Sequence, residues 1–146
     1  MNVREQLDWY TVKLTVPTRQ ADVDHQGHVN HITMLGLHAE ARMMWHCELL
    51  GIADPLALAR ELGAIQARQF RCTYLSSAHY PASLTVGLRL LDVGQDGYRV
   101  ATGAFQGGRC TSQQECTLGY RSAQGWKPLP YDLQACLTQR LPAGAD

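Results

Sequence analysis

The chain has no excess charge of either sign: thirteen Lys and Arg balance thirteen Asp and Glu. Nucleic-acid binders usually carry a basic surplus, because neutralising phosphates drives their affinity. No nucleic-acid partner is therefore expected. Long hydrophobic runs are missing too. No stretch approaches the roughly 20 apolar residues of a membrane span, so no membrane association is expected. The segment Met1 to Asp8 has no apolar run, which gives no sign of a signal peptide. Cysteine pairing signals are absent as well. Cys47, Cys72, Cys110, Cys116 and Cys136 are odd in number and never spaced as CxxC. They predict free thiols in a reducing, cytoplasmic compartment rather than a disulfide framework or a zinc site. There is no repeat, no low-complexity tract and no linker. The 146 residues therefore read as one domain, 1–146, around one hydrophobic core.

What is present is a change of period. Tyr10, Val12, Leu14 and Val16 alternate with Thr11, Lys13 and Thr15, which predicts a half-buried strand ending at Pro17. Residues 18 to 30 are polar and read as a loop. From Asn30, Ile32, Leu35, Ala39, Met43, Cys47 and Leu50 recur at steps of three and four, and Gly51 is a natural stop. Met34, Leu37, Ala41 and Met44 add a second apolar stripe. A long helix apolar over so much of its circumference should be largely buried. Gly36 inside it costs about 1 kcal/mol relative to Ala; close approach of another backbone and simple tolerance are the two explanations. A short helix follows, with Asp54 as cap, Pro55 in its first turn and Gly63 at its end. Beyond it the chain reads as four strands in a meander to about residue 121. Turns fall at Gly94-Gln95-Asp96-Gly97 and Gly107-Gly108, and a terminal helix covers Asp132 to Gln139. Short turns require antiparallel pairing. One long apolar helix and one antiparallel sheet bury each other if the sheet wraps the helix, an α+β arrangement.

The densest polar cluster, Asp22-Val23-Asp24-His25-Gln26-Gly27-His28-Val29-Asn30-His31, joins the first strand to the long helix. Four readings compete for it. Asp22, Asp24, Gln26 and Gly27 match the start of a calcium loop, but the twelfth position, which needs a bidentate Glu, is Thr33. His25, His28 and His31 are regularly spaced yet match no strong zinc signature. Asp and Asn ahead of a helix are common caps, and that reading suits Asp22 best. The fourth reading is catalysis. A helix N-terminus presents unpaired N–H groups and partial positive charge, which polarise a carbonyl and hold the oxyanion formed on attack. A nearby carboxylate, here Asp24, serves as nucleophile or as base for a water. The chemistry this suits is acyl transfer from an ester or thioester.

The run from Arg19 through Asp22, Asp24, Gly27, His28, Val29 and Asn30 resembles the loop signature of the 4-hydroxybenzoyl-CoA thioesterase branch of the hotdog superfamily. There an arginine-led D-x-D-x-x-G-H-V-N opens the central helix. Glu40-Ala41-Arg42 and the segment Tyr74 to Pro81 are similar to that family too. The resemblance implies a hotdog fold, an antiparallel sheet wrapped around one long central helix. It implies hydrolysis of an acyl-CoA without a cofactor or metal, with Asp24 as the catalytic carboxylate and the His31 backbone N–H holding the thioester carbonyl. Gly27, His28, Val29 and Asn30 belong to the substrate-binding loop. The acyl group would lie beside the helix and the pantetheine arm at a subunit interface of a homodimer or homotetramer. Two departures stand out: His31 replaces a frequent second Asn, and Met34 replaces a frequent aromatic.

Other features have plainer readings. His38, Arg42 and His46 at spacing four read as a polar edge of the helix, solvated or at an interface. Arg68, Arg71 and Arg89 read as surface charge, with contact to CoA phosphates as the alternative. Ser76, Ser77 and His79 read as loop polarity, since no G-x-S-x-G elbow occurs. A non-catalytic acyl-CoA or acyl-carrier-protein binding module, and a hydratase on the same fold, are the competing functions.

Overall fold

The computed structural model describes residues 2–54, 56, 57, 60 and 63–144. The first alternating run forms β1 (Val12–Val16), with Tyr10 just ahead of it and buried. The long helix α1 (His31–Leu50) is capped at both ends as the sequence predicts. The Asn30 side chain accepts the Ile32 N–H at 2.8 Å, and Gly51, at φ 64°, turns its own N–H onto the Cys47 and Glu48 carbonyls. Five further strands follow: β2 (Ile65–Tyr74), β3 (Leu84–Val93), β4 (Gly97–Gln106), β5 (Arg109–Ser122) and β6 (Gly125–Lys127). Helix α2 (Tyr131–Gln139) ends the described fold. Ahead of β2, Leu56, Ala57 and Arg60 are helical and the Asp54 carboxylate accepts the Ala57 N–H at 2.9 Å. The expected first-turn Pro55 lies outside the described residues. No helix among the described residues is long and apolar enough to cross a membrane.

The sheet is antiparallel throughout, in the order β1-β3-β4-β5-β2, with β6 on β5. The expected four-strand meander holds only for β3, β4 and β5. Tight turns occur there: the Gly94 N–H meets the Gly97 carbonyl at 2.8 Å, and Gly107 and Gly108 take φ 59° and 77°. Residues 75–83 contain no such turn. They carry the chain across the sheet, so β2 pairs with β5 and forms an edge. Strand β6 is an addition to the expected set, because three residues before Pro128 leave too little pattern to read.

The sheet covers one side of α1. Met34, Leu37, Ala41, Trp45 and Leu49 are buried against it. The other stripe is not buried as expected: Ile32 is 62% exposed, and Gly36 and Ala39 face solvent. A Cβ built at Gly36 meets nothing within 4 Å, so no backbone among the described residues approaches it. One sheet can bury only one face of a helix, so the stripe from Ile32 through Leu35, Ala39, Met43, Cys47 and Leu50 stays exposed or half-buried.

The His38–Arg42–His46 stripe also corrects the expectation of a solvated edge. It lies in the seam between helix and sheet. His38 bonds Thr102 Oγ1 through Nδ1 at 2.7 Å and Ser112 Oγ through Nε2 at 2.8 Å. Arg42 donates to Gln114 Oε1. His46 bonds the Arg42 carbonyl at 2.7 Å and the Tyr98 hydroxyl at 2.6 Å. Buried polar groups are tolerated when hydrogen-bonded, and the partners come from β4 and from the part of β5, Ser112 to Glu115, that looks too polar for a strand. On the sheet's outer face, Tyr10 lies over a slot made by Gly87 and Gly103, which pair across β3 and β4. A Cβ at Gly103 would sit 2.4 Å from the Tyr10 hydroxyl oxygen, so this contact requires glycine.

Burial holds both histidines neutral: it lowers the His38 pKa to about 3 and that of His46 to about 4. The unfolded chain takes up these protons near pH 6.5 and the folded chain does not, so folding stability falls as pH drops from about 6.5 towards 4. Urea unfolding at about pH 7 and about pH 5 should show a lower midpoint at the acidic value. A flat profile over that window would contradict the neutral buried pair.

Candidate active site

The polar loop between β1 and α1 is held by its backbone. The Asn30 N–H donates to the Asp22 carbonyl at 2.7 Å and the Val29 N–H to the Ala78 carbonyl at 2.8 Å. Val23 pairs with Val29, and His28 with His79, as isolated bridges. At the turn, the Asp24 carbonyl accepts the Gly27 N–H at 3.1 Å, and Gly27 takes φ 80°, where side chains are strained.

The two aspartates separate cleanly. Asp22 is 1% exposed and accepts the Arg19 backbone N–H at 2.8 Å and its guanidinium at 2.8 Å. The Arg19 hydrogen bond lowers its pKa against the opposing effect of burial. Asp22 anchors the loop by closing the short turn Gln20–Asp22 onto Arg19; it does not cap α1, whose cap is Asn30. Asp24 instead lies at the surface of a cleft. Its Oδ1 accepts the Gln26 N–H at 2.9 Å and the His28 N–H at 3.2 Å. Local desolvation opposes ionisation, but the two N–H groups, with His25 and His28 nearby, outweigh it and lower the pKa. Asp24 is thus an anion at neutral pH.

The cleft measures about 320 Å³ and is lined by Asp24, Gln26, His28, Val29, His31 and Met34 on one side and by residues 74–78 on the other. His31 opens α1. The Ile32 N–H is taken by Asn30, while the His31 N–H has no acceptor among the described residues. Of the residues singled out from sequence, Asp24, His28, Val29 and His31 line the cleft. Gly27 and Asn30 do not; they shape it through the turn and the helix cap.

The segment after β2 reads in sequence as ordinary loop polarity, a reading that misses its place in the cleft. Tyr74 donates its hydroxyl to the His31 carbonyl. Burial, then Cys72, pushes its pKa up to about 12, so the phenol stays a donor. The Thr111 carbonyl accepts the Leu75 and Ser76 N–H groups at 2.9 and 3.1 Å. Gln106 clamps the far end: its side chain accepts the His79 N–H at 2.8 Å and donates to the His79 and Ala82 carbonyls at 2.8 and 3.0 Å. These contacts are long-range and leave no local signal.

His28 and His31 point to different neighbours, His28 edge-on to His79 at 4.9 Å and His31 edge-on to Tyr74 at 6.1 Å. Among the described residues no three His, Cys, Asp or Glu side chains gather as a metal-binding group. Of the three strand arginines, Arg89 donates to the Trp9 carbonyl at 2.9 Å and covers its ring, and Arg68 lies 4.9 Å over the Trp126 ring. Arg71 stands on the exposed β2 edge. None lines the cleft.

The sequence profile of the thioesterase-like superfamily matches residues 18–137. No match is found among curated proteins. Among solved structures, a thioesterase from Thermus thermophilus complexed with coenzyme A and Zn superposes with a TM-score of 0.75 at 22% identity, covering 89% of this chain and 94% of that one. A thioesterase-superfamily protein from Jannaschia sp. CCS1 gives 0.80 at 16%, covering 90% and 94%. The DHNA-CoA thioesterase of Staphylococcus aureus gives 0.72 at 17%, covering 87% and 88%. At such identities these structures show a shared hotdog fold.

Nothing crowds a Cβ at Gly27, so its substitution costs backbone strain alone, about 1–2 kcal/mol for Ala. Gly27→Ala should lower the melting temperature by roughly 2–8 °C, and Gly27→Asn by less, since Asn tolerates the left-handed region. Equal melting temperatures for all three proteins would refute the strain.

Proposed function

The chain belongs to the thioesterase-like superfamily, and from that premise we propose that it hydrolyses an acyl-CoA thioester to the free acid and CoA. The observation that carries this reading is the sharing of one cleft by the ionised Asp24 and the open first turn of α1. The thioester carbonyl oxygen accepts the His31 N–H, which favours the charge that builds on that oxygen. Asp24 then acts in one of two ways. It takes a proton from a water that adds to the carbonyl carbon, or it adds its own oxygen to give an acyl anhydride that water opens. In both, the C–S bond breaks and CoA leaves as a thiolate that picks up a proton. Oδ1 is occupied by two N–H donors, which fixes the carboxylate and leaves Oδ2 for the reaction.

In this reading Gly27 and Asn30 serve substrate binding by holding the loop and helix start, and His28, Val29 and His31, which line the cleft, contact the thioester. The five free cysteines fit a cytoplasmic enzyme. A homodimer formed edge to edge through β2 is part of the proposal. That edge is exposed along nearly its whole length, with Phe70 at 50% and Tyr74 at 46%, and Ile32 stands uncovered beside the cleft. A second copy adding its own β2 would pair the open backbone groups and cover these side chains.

Asp24→Asn should leave folding intact and cut turnover of an acyl-CoA panel by about 100- to 10,000-fold, read by thiol release. Near-normal turnover by that variant would remove Asp24 from its role. Acyl-CoA binding without thiol release from any panel member would instead favour a binding module.

A further inference from the structure

We propose that Tyr74 is a positioning residue: its hydroxyl, reaching from the edge strand to the His31 carbonyl, sets the direction of the His31 N–H that receives the thioester oxygen. The proposal rests on the hydrolysis reading and adds a residue that works through His31 rather than on the thioester itself.

Three observations carry it. First, among the described residues the Tyr74 hydroxyl makes the one side-chain hydrogen bond from the wall 74–78 to α1. The other link between the walls, from the Val29 N–H to the Ala78 carbonyl, lies behind the turn and is backbone only. Second, the peptide planes around His31 are pinned so that one group is left to point outwards. A trans peptide is planar, so its carbonyl and its N–H face opposite ways. The Asn30 carbonyl is held by the Met34 N–H at 2.9 Å, which turns the His31 N–H of the same plane out of the helix end. The next plane is held at both ends, the Ile32 N–H by the Asn30 side chain at 2.8 Å and the His31 carbonyl by Tyr74. His31 hinges these two planes, and Tyr74 is the support that reaches its carbonyl from the opposite wall. Third, the hydroxyl contributes little to folding. Tyr74 is 46% exposed at the end of β2. The His31 carbonyl also accepts the amide one turn further along the helix, so removing the hydroxyl strands no buried group. An oxyanion donor acts by where it points before charge develops, and a shift of about 1 Å can cost about 100-fold in rate. The Tyr74 contact lies within one chain, so it holds whether or not a second copy covers the cleft.

The test is Tyr74→Phe, which keeps the ring and removes the hydroxyl. With butyryl- and benzoyl-CoA, read by thiol release, kcat should fall by about 10- to 100-fold. KM should stay within about threefold, because the lost interaction serves the transition state rather than ground-state binding. The melting temperature should stay within about 2 °C of the wild type. An unchanged kcat would overturn the proposal. So would a loss confined to KM, or one matched by a fall in melting temperature. A second readout needs no turnover. Benzoyl-CoA, isotope-labelled at the carbonyl carbon, is bound to the Asp24→Asn protein with and without Tyr74→Phe, and its C=O stretch is recorded. The stretch should lie below its value in water for Asp24→Asn and return part of the way in the double variant. The same frequency in both proteins would overturn the proposal. Absence of thiol release from every ester by the wild type would end the hydrolysis reading, and the stretch would still decide whether Tyr74 directs the His31 N–H.

Discussion

The placement of the first turn of α1 is the constraint on which the rest of the structure depends. A helix end is useful to chemistry only if its unpaired N–H groups are held still and kept open. Here the turn is fixed from three sides. Asn30 caps it from within, the backbones of Asp22 and Ala78 accept the N–H groups of Asn30 and Val29, and the Tyr74 hydroxyl reaches the His31 carbonyl from the edge strand. The loop that carries Asp24 is therefore part of the fold rather than a flap. Its conformation is set by one glycine turn and by Arg19 closing on the buried Asp22.

The interior of the helix–sheet seam is built differently at its two ends. Near the cleft it is apolar and small, with Val29, Met34, Ala78, Val86 and Ala104. At the far end Trp45, Leu49, Tyr98, Leu133 and Leu137 form a larger core closed by α2. Between them runs the His38–Arg42 ladder. Such a ladder gains little stability over well-packed apolar groups, but a partly broken one is costly. It fixes the registry of α1 against β4 and β5, and with it the height at which His31 meets the cleft.

Much of this was legible in the sequence because it is local. The Asn30 and Gly51 caps, the glycine hairpins, the alternation of β3 and the D-x-D loop ahead of a helix all leave their signal within a few residues. The apolar periodicity of α1 was legible too, but not which stripe meets the sheet, since both are equally apolar and only one sheet face exists to cover them. The burial of His38, Arg42 and His46 was illegible for the complementary reason. Their partners, Thr102, Ser112, Gln114 and Tyr98, lie more than fifty positions away, and a polar stripe looks the same whether it meets water or a polar strand. The second wall of the cleft, residues 74–78, depends on the crossover that places β2 beside β5, which no local turn encodes.

The central claim is that Asp24 and the open end of α1 act on one carbon. The most direct measurement is a crystal structure of the Asp24→Asn protein with an intact short acyl-CoA bound. The account predicts the thioester oxygen at about 2.9 Å from the His31 backbone nitrogen, with the residue-24 side chain against the carbonyl carbon. A thioester bound away from that helix end, or with its carbonyl turned from residue 24, would contradict it.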